Sequence, residues 1–223
     1  MRIVIAGGHG KIALILERLL SERGDSVAGL IRNPAQVADL EAAGAEALVV
    51  DLEKATVAEV AEHVRGADAV VFAAGAGPGS GAARKETVDR DAAILLADAA
   101  LEAGVSRYLI VSSIGADKRA DDPGADPVFA AYLRAKAAAD RAVQARTGLS
   151  ATIVRPGHLT DEPGTGRVTI AESTGLGSIP RADVAAVLVA VLDAPGTGGH
   201  AFDLISGDSP ISDAVEAIAA VGP

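Results

Sequence analysis

The sequence predicts an α/β fold, a doubly wound parallel sheet of about seven strands with helices on both faces. Three observations carry this. Short apolar runs alternate with stretches of helical periodicity along most of the 223 residues. Several runs, such as Ala69-Val70-Val71-Phe72-Ala73-Ala74, are apolar throughout, as strands covered on both faces must be. The first run ends in a glycine-rich turn that opens directly into a helix.

Taken in order, strands are predicted near 2–6, 26–31, 45–50, 68–74, 106–112 and 150–155. Helices are predicted near 11–23, 34–43, 55–64, 86–103 and 125–146, where Ala-rich, amphipathic patterns intervene. Beyond the sixth strand come an irregular stretch from Thr160 to Ser178, a helix near 181–193, a short strand near 200–205 and a final helix from about 211. No repeat or linker divides the chain, so residues 1–223 are expected to form one domain. The last third is too short for a separate substrate domain. Its substrate region should be small and built from loops near 75–85 and 157–180.

Composition narrows the partners. With 49% hydrophobic residues the chain has a globular composition, but aromatics make up only 2%, so Ala, Val, Leu and Ile must build the core. There is no cysteine, hence no thiolate nucleophile or ligand, and the four histidines lack metal-ligand spacing. Twenty basic against thirty acidic residues give a net charge of −10, which disfavours nucleic acid. No apolar run approaches the about 18 residues of a membrane span. The chain enters its first strand without a leader, so a cytoplasmic location is expected. Monomer and homodimer are both compatible with these features.

The turn Gly7-Gly8-His9-Gly10-Lys11-Ile12-Ala13 is the strongest functional signal. A helix start presents unpaired N–H groups and a positive dipole end, which hold an anion without a basic side chain. Gly7 permits the tight turn, Gly10 lets backbone approach phosphates, and Ala13 lets the helix pack closely. His9, Lys11 and Ile12 complete this candidate dinucleotide-binding set. NAD-binding sheets usually end the second strand in a carboxylate for the ribose 2′-hydroxyl. Here it ends in Arg32-Asn33-Pro34, and a guanidinium suits the 2′-phosphate of NADP(H). Asp51 and Leu52 would lie beside the adenine, although Asp51 also reads as a helix cap. Ala73, Ala74 and Gly75 are small enough to let ribose and pyrophosphate pass. The run Gly75 to Gly81 reads as a flexible lid, with Arg84 and Lys85 after it either near phosphate or solvated.

The second constellation is Tyr132-Leu133-Arg134-Ala135-Lys136. Residues four apart share a helix face, and an ammonium beside a phenol favours the charged form, giving a proton donor or acceptor. Asp121, Asp122 and Asp126, just before this helix, read as a solvated turn and cap rather than a metal site.

These stretches resemble a short-chain dehydrogenase/reductase, specifically the small atypical branch with NAD(P)H-binding, NmrA-like (NAD-dependent epimerase/dehydratase-like) domains. The resemblance also covers Val111 to Asp117, Val154-Arg155-Pro156-Gly157-His158 through Gly166, and Arg181-Ala182-Asp183-Val184-Ala185. It implies a seven-stranded parallel Rossmann-type sheet, with Pro156 and Gly157 near the nicotinamide and His158 at the pocket edge. It also implies a serine on the fifth-strand turn that orients a substrate oxygen. Ser112 and Ser113 are both available, and the position can also fall on Ile114. Three functions are open. One is an NADP(H)-dependent reductase or epimerase of a small carbonyl compound, using Tyr132, Lys136 and Ser113 or Ser112. The others are a non-catalytic NADP(H) redox sensor and a flavin or quinone reductase.

Overall fold

A computed structural model describes residues 1–77, 79–116, 118 and 126–222. Asp121 and Asp122 lie outside the described residues. Seven strands run parallel: β1 (Arg2–Ala6), β2 (Ser26–Ile31), β3 (Glu46–Val49), β4 (Ala69–Phe72), β5 (Arg107–Val111), β6 (Ser150–Pro156) and β10 (Ala201–Ser206). Their spatial order is β10-β6-β5-β4-β1-β2-β3. The chain winds outward from β1 in one direction and then returns to wind outward in the other. The switch point therefore lies between β1 and β4, where ligands bind on such sheets.

The expected seven parallel strands are extended to nine among the described residues. Two antiparallel strands, β8 (Arg167–Ala171) and β11 (Ser209–Pro210), cover the β10 edge. β8 lies inside the stretch expected to be irregular, Thr160 to Ser178, and β7 (His158–Thr160) and β9 (Ser178–Pro180), which pair with each other, bound its two ends. β8 escaped notice because only one of its faces is well buried: Val168 is inside while Arg167 and Thr169 are exposed. It lacks the continuous apolar run of a central strand.

Alternation along each strand sends side chains to two cores. Ile3 and Ile5 join Leu16 and Leu20 of α1 (Lys11–Glu22) and Val184 and Leu188 of α7 (Arg181–Asp193) on one face. Val4 and Ala6 join Val60 of α3 (Val57–Val64), Leu96 of α5 (Ala93–Glu102) and Val143 of α6 (Pro127–Gln144) on the other. Short α2 (Val37–Ala42) and C-terminal α8 (Ile211–Ala219) complete the first layer, contributing Leu40 and Val215. Asp126 caps α6, its carboxylate accepting from the Phe129 N–H at 2.8 Å.

The helix expected over 86–103 begins earlier and changes pitch. A single turn, α4 (Gly81–Arg84), leads into a wide π-helical stretch, Lys85–Ala92, before α5 continues. Such stretches re-aim side chains inside a helix and recur at functional sites. Here it turns Lys85 and Asp89 inward.

Candidate active site

The switch point is floored by glycine. Gly7 has φ of +81°, and a Cβ there would sit 2.6 Å from the Ala74 Cα. The turn is pinned by the Gly7 and Gly8 N–H groups donating to the Leu30 carbonyl, at 3.2 and 3.1 Å, and by Gly10 N–H donating to Gly7 O at 2.8 Å. Gly10 is the N-cap of α1, and no side chain caps that helix. Its first N–H groups thus remain available to an anion. Gly7, His9, Gly10, Gln36, Ala73, Ala74 and Gly75 line one cavity over this turn. His9 is held by Gln36 and Asp39, at 2.9 and 2.8 Å.

Beneath the turn lies a residue the sequence did not announce. Glu17 is fully buried, and neither carboxyl oxygen has a hydrogen-bond partner among the described residues. A Cβ on Gly8 or Gly29 would come within 2.9 or 2.6 Å of Glu17 Oε1, so both glycines are needed to leave it room. Burial pushes its carboxyl up to about 8.

A second cavity opens at the ends of β2 and β3, lined by Gly7, Arg32, Asp51, Leu52, Glu53, Ala74, Gly75 and Arg84 among others. Arg32 and Arg84 both donate to Glu53 Oε2 at 2.8 Å, and Thr87 donates to Oε1 at 2.7 Å. The hydrogen bonds from Arg84 and Thr87 hold the Glu53 carboxyl below its ordinary range. Asp51 accepts from the Glu53 N–H and pairs with Lys54 in a turn; it does not cap the next helix, whose N-cap is Thr56 with Glu59 in a capping box. Asn33 accepts from the Ala35 N–H and caps the short turn at Pro34–Gln36, away from these cavities.

The third and largest cavity, about 490 Å³, shares Ala73, Ala74 and Gly75 with the glycine-turn cavity. Ile12, Val111, Val128, Phe129 and Leu159 give it apolar walls, and Ser112, Tyr132, Lys136, Lys85, Asp89 and Asp126 supply its polar groups. Tyr132 and Lys136 project from one face of α6, with the Lys136 ammonium 5.9 Å from the Tyr132 ring centroid. Lys136 donates to the Val111 carbonyl at 3.1 Å and pairs at 3.3 Å with Asp89, which is fully buried. Asp89 also accepts from the Ala76 N–H at 3.2 Å and so ties the chain just after β4 to the wide helix. Lys85 donates to the Gly77 carbonyl at 2.8 Å and lies 5.4 Å from the Tyr132 ring centroid.

Of the two candidate serines, Ser112 is buried and lines this cavity, whereas Ser113 and Ile114 are not among its lining residues. Pro156, Gly157 and His158 are likewise absent from the linings of these cavities. Gly157 packs against the Gly177 carbonyl, where a Cβ would fall at 2.3 Å, and His158 is exposed. Lys11 faces outward, donating to Asp161 at 2.5 Å. Behind the cavity Arg155 pairs with Asp140 at 3.0 Å, and burial raises the Asp140 carboxyl against the pull of Arg155, Ser112 and Lys136. Tyr108, the other tyrosine, is buried and donates to the Ala93 carbonyl.

Sequence reasoning missed Asp89, Glu53 and Phe129, and it left Lys85 undecided. Lys85 and Asp89 are four apart, as Tyr132 and Lys136 are, but the sequence does not reveal which face of a π-helical turn points inward. Among the described residues no cluster of metal-ligating side chains occurs, and no helix is long and apolar enough to cross a membrane.

A nine-stranded, mostly parallel sheet among the described residues, with an uncapped, glycine-floored helix start at its switch point, defines a Rossmann-like protein suited to hold a dinucleotide. Comparison with known proteins agrees: residues 7–195 match the NAD(P)H-binding family model, and the chain belongs to that family. It is 39% identical to a Bacillus subtilis protein called uncharacterized sugar epimerase YhfK, over 97% of this chain and 99% of that one. Among solved structures it is similar to a provisionally assigned NAD-dependent epimerase/dehydratase from Bacillus halodurans, with 35% identity, a TM-score of 0.88, and coverage of 97% and 99%. The oxidoreductase ylbE from Lactococcus lactis is also similar, with 27% identity, a TM-score of 0.84, and coverage of 98% and 96%.

Proposed function

We propose that this chain is an NADP(H)-dependent oxidoreductase or epimerase-like enzyme acting on a small carbonyl compound, within one domain spanning 1–223. The observation that carries this is the placement of Tyr132 and Lys136 in the cavity that shares Ala73, Ala74 and Gly75 with the glycine turn. A bound nicotinamide supplies or accepts a hydride. Tyr132 gives the proton to the carbonyl oxygen as the carbon is reduced, or removes it in the reverse direction. Lys136 would hold the nicotinamide ribose and stabilise negative charge on the phenol oxygen. Ser112 or Ser113, just after β5, would hold the substrate oxygen, although the Ser112 hydroxyl is buried beside the Asp140 carboxyl.

Arg32 and Arg84 line the second cavity and share Glu53 there; a 2′-phosphate taking the place of that carboxylate would keep both guanidiniums paired, which supports NADP(H) over NAD(H). Epimerase-like chemistry draws support from the names of the Bacillus subtilis and Bacillus halodurans relatives. It uses the same hydride and proton groups, run in both directions. A cytoplasmic location and a monomer or homodimer remain part of the reading.

The test is loss of NADPH absorbance against a panel of aldehydes, ketones, quinones and free flavins, with NADPH and NADH titrated by fluorescence in parallel. Turnover with carbonyl compounds and tighter NADPH binding are expected. Turnover with flavins or quinones alone would replace the carbonyl reading with ring reduction. Tight binding without turnover of any acceptor, with one redox state strongly preferred, would favour a sensor.

A further inference from the structure

The large cavity holds two ammonium groups, and they are not balanced alike. Lys136 is paired with Asp89 at 3.3 Å, so its charge is compensated. Lys85 is only 9% exposed, yet its partners among the described residues are the Gly77 carbonyl and the face of Tyr132. No carboxylate pairs with it among the described residues. Asp126, the other acid on the cavity wall, is exposed at the start of α6 and accepts from the Phe129 N–H. Burying an ammonium without a counter-charge is costly, more so than a paired one, and the rest of the cavity wall is largely apolar. The site is therefore complementary to an anion placed beside Tyr132.

We propose that the carbonyl substrate carries an anionic group, a carboxylate or its equivalent, and that Lys85 binds it while the apolar body rests against Val128, Phe129 and Leu159. Lys85 lines the Tyr132 cavity and not the cavity over the glycine turn, which separates this role from holding the cofactor pyrophosphate. The π-helical stretch explains the geometry: it points Lys85 and Asp89 into one space, so one cation is neutralised and the other left for ligand. The proposal rests on reading this cavity as the substrate site.

The experiment is calorimetric titration of the full chain, held with NADP⁺, using benzoate and its uncharged isostere benzamide. Benzoate is expected to bind about tenfold more tightly or better. Lys85→Met should bring benzoate down to the level of benzamide and leave NADPH affinity unchanged, while Lys85→Arg keeps the preference. Equal affinities in the wild-type protein, absent benzoate binding, or a preference that survives Lys85→Met would overturn the proposal. A loss of NADPH affinity in Lys85→Met with benzoate binding intact would assign the ammonium to the cofactor and overturn it as well. The wild-type comparison decides even if a variant fails to fold. It needs no turnover, so failure of the carbonyl panel and failure of this proposal are separately readable.

Discussion

The glycine turn and the Tyr132 cavity adjoin across Ala73 to Gly75, but they are built from different materials. The turn works through backbone: a positive φ at Gly7, an uncapped helix start, and glycines that leave room for Glu17. Its backbone core, Gly7 to Gly10, lies within four residues and is pinned on the Leu30 carbonyl. The cavity works through side chains brought from β4, β5, the π-helical stretch and α6, where Asp89 and Lys136 meet across 47 positions of sequence. The first is mostly a backbone construction and leaves no room for a Cβ at Gly7, Gly8 or Gly29. The second is a long-range one and depends on charge balance.

The largest expected effect falls on the side-chain half. Asp89→Asn leaves the Lys136 ammonium buried without its counter-charge, and stability in urea should fall by about 3–5 kcal/mol. A loss under about 1 kcal/mol would mean that the pair is not what holds this wall together.

Gly7→Ala comes next and strikes the backbone half. The left-handed conformation costs a residue with Cβ about 1–2 kcal/mol, and the contact with Ala74 adds to it. NADPH affinity should drop by about tenfold or more while the Asp89–Lys136 pair persists. Unchanged NADPH binding would show that the turn does not carry the cofactor.

Glu17 separates the two halves by pH. Its carboxyl lies near 8 when folded, against 4.5 for the ordinary group. Between these values the folded protein keeps a proton that the unfolded chain has released, so stability falls as pH rises through the window. Glu17→Gln should remove that slope, which amounts to on the order of 5 kcal/mol across the window less the cost of burying the amide, and so raise stability at about pH 9. A thermal-melting series against pH that is equally steep in both proteins would refute it.

Arg32→Gln is expected to give the smallest effect. NADPH binding should weaken by about tenfold with NADH unaffected, since Arg84 retains its place beside Glu53. Equal losses for both cofactors would remove the 2′-phosphate from the account.

The same contrast explains what the sequence made legible. Central strands and the Gly7–Gly10 turn are written in contiguous residues, as is the four-residue spacing of Tyr132 and Lys136. β8 was hidden because an edge strand with one covered face has no continuous apolar run. The inward direction of Lys85 and Asp89 was hidden because a π-helical turn breaks the periodicity that a helix pattern assumes. Arg32 stood out as a lone basic residue, but its sharing of Glu53 with Arg84 joins three separate elements and has no local signature.

Tyr132→Phe tests the central claim most directly, with carbonyl turnover and NADPH affinity measured on the same preparation. The account predicts a loss of turnover by about 10²–10⁴ with cofactor affinity almost unchanged, because the phenol belongs to the cavity and not to the turn. Undiminished turnover, or a loss explained by weakened NADPH binding, would contradict it.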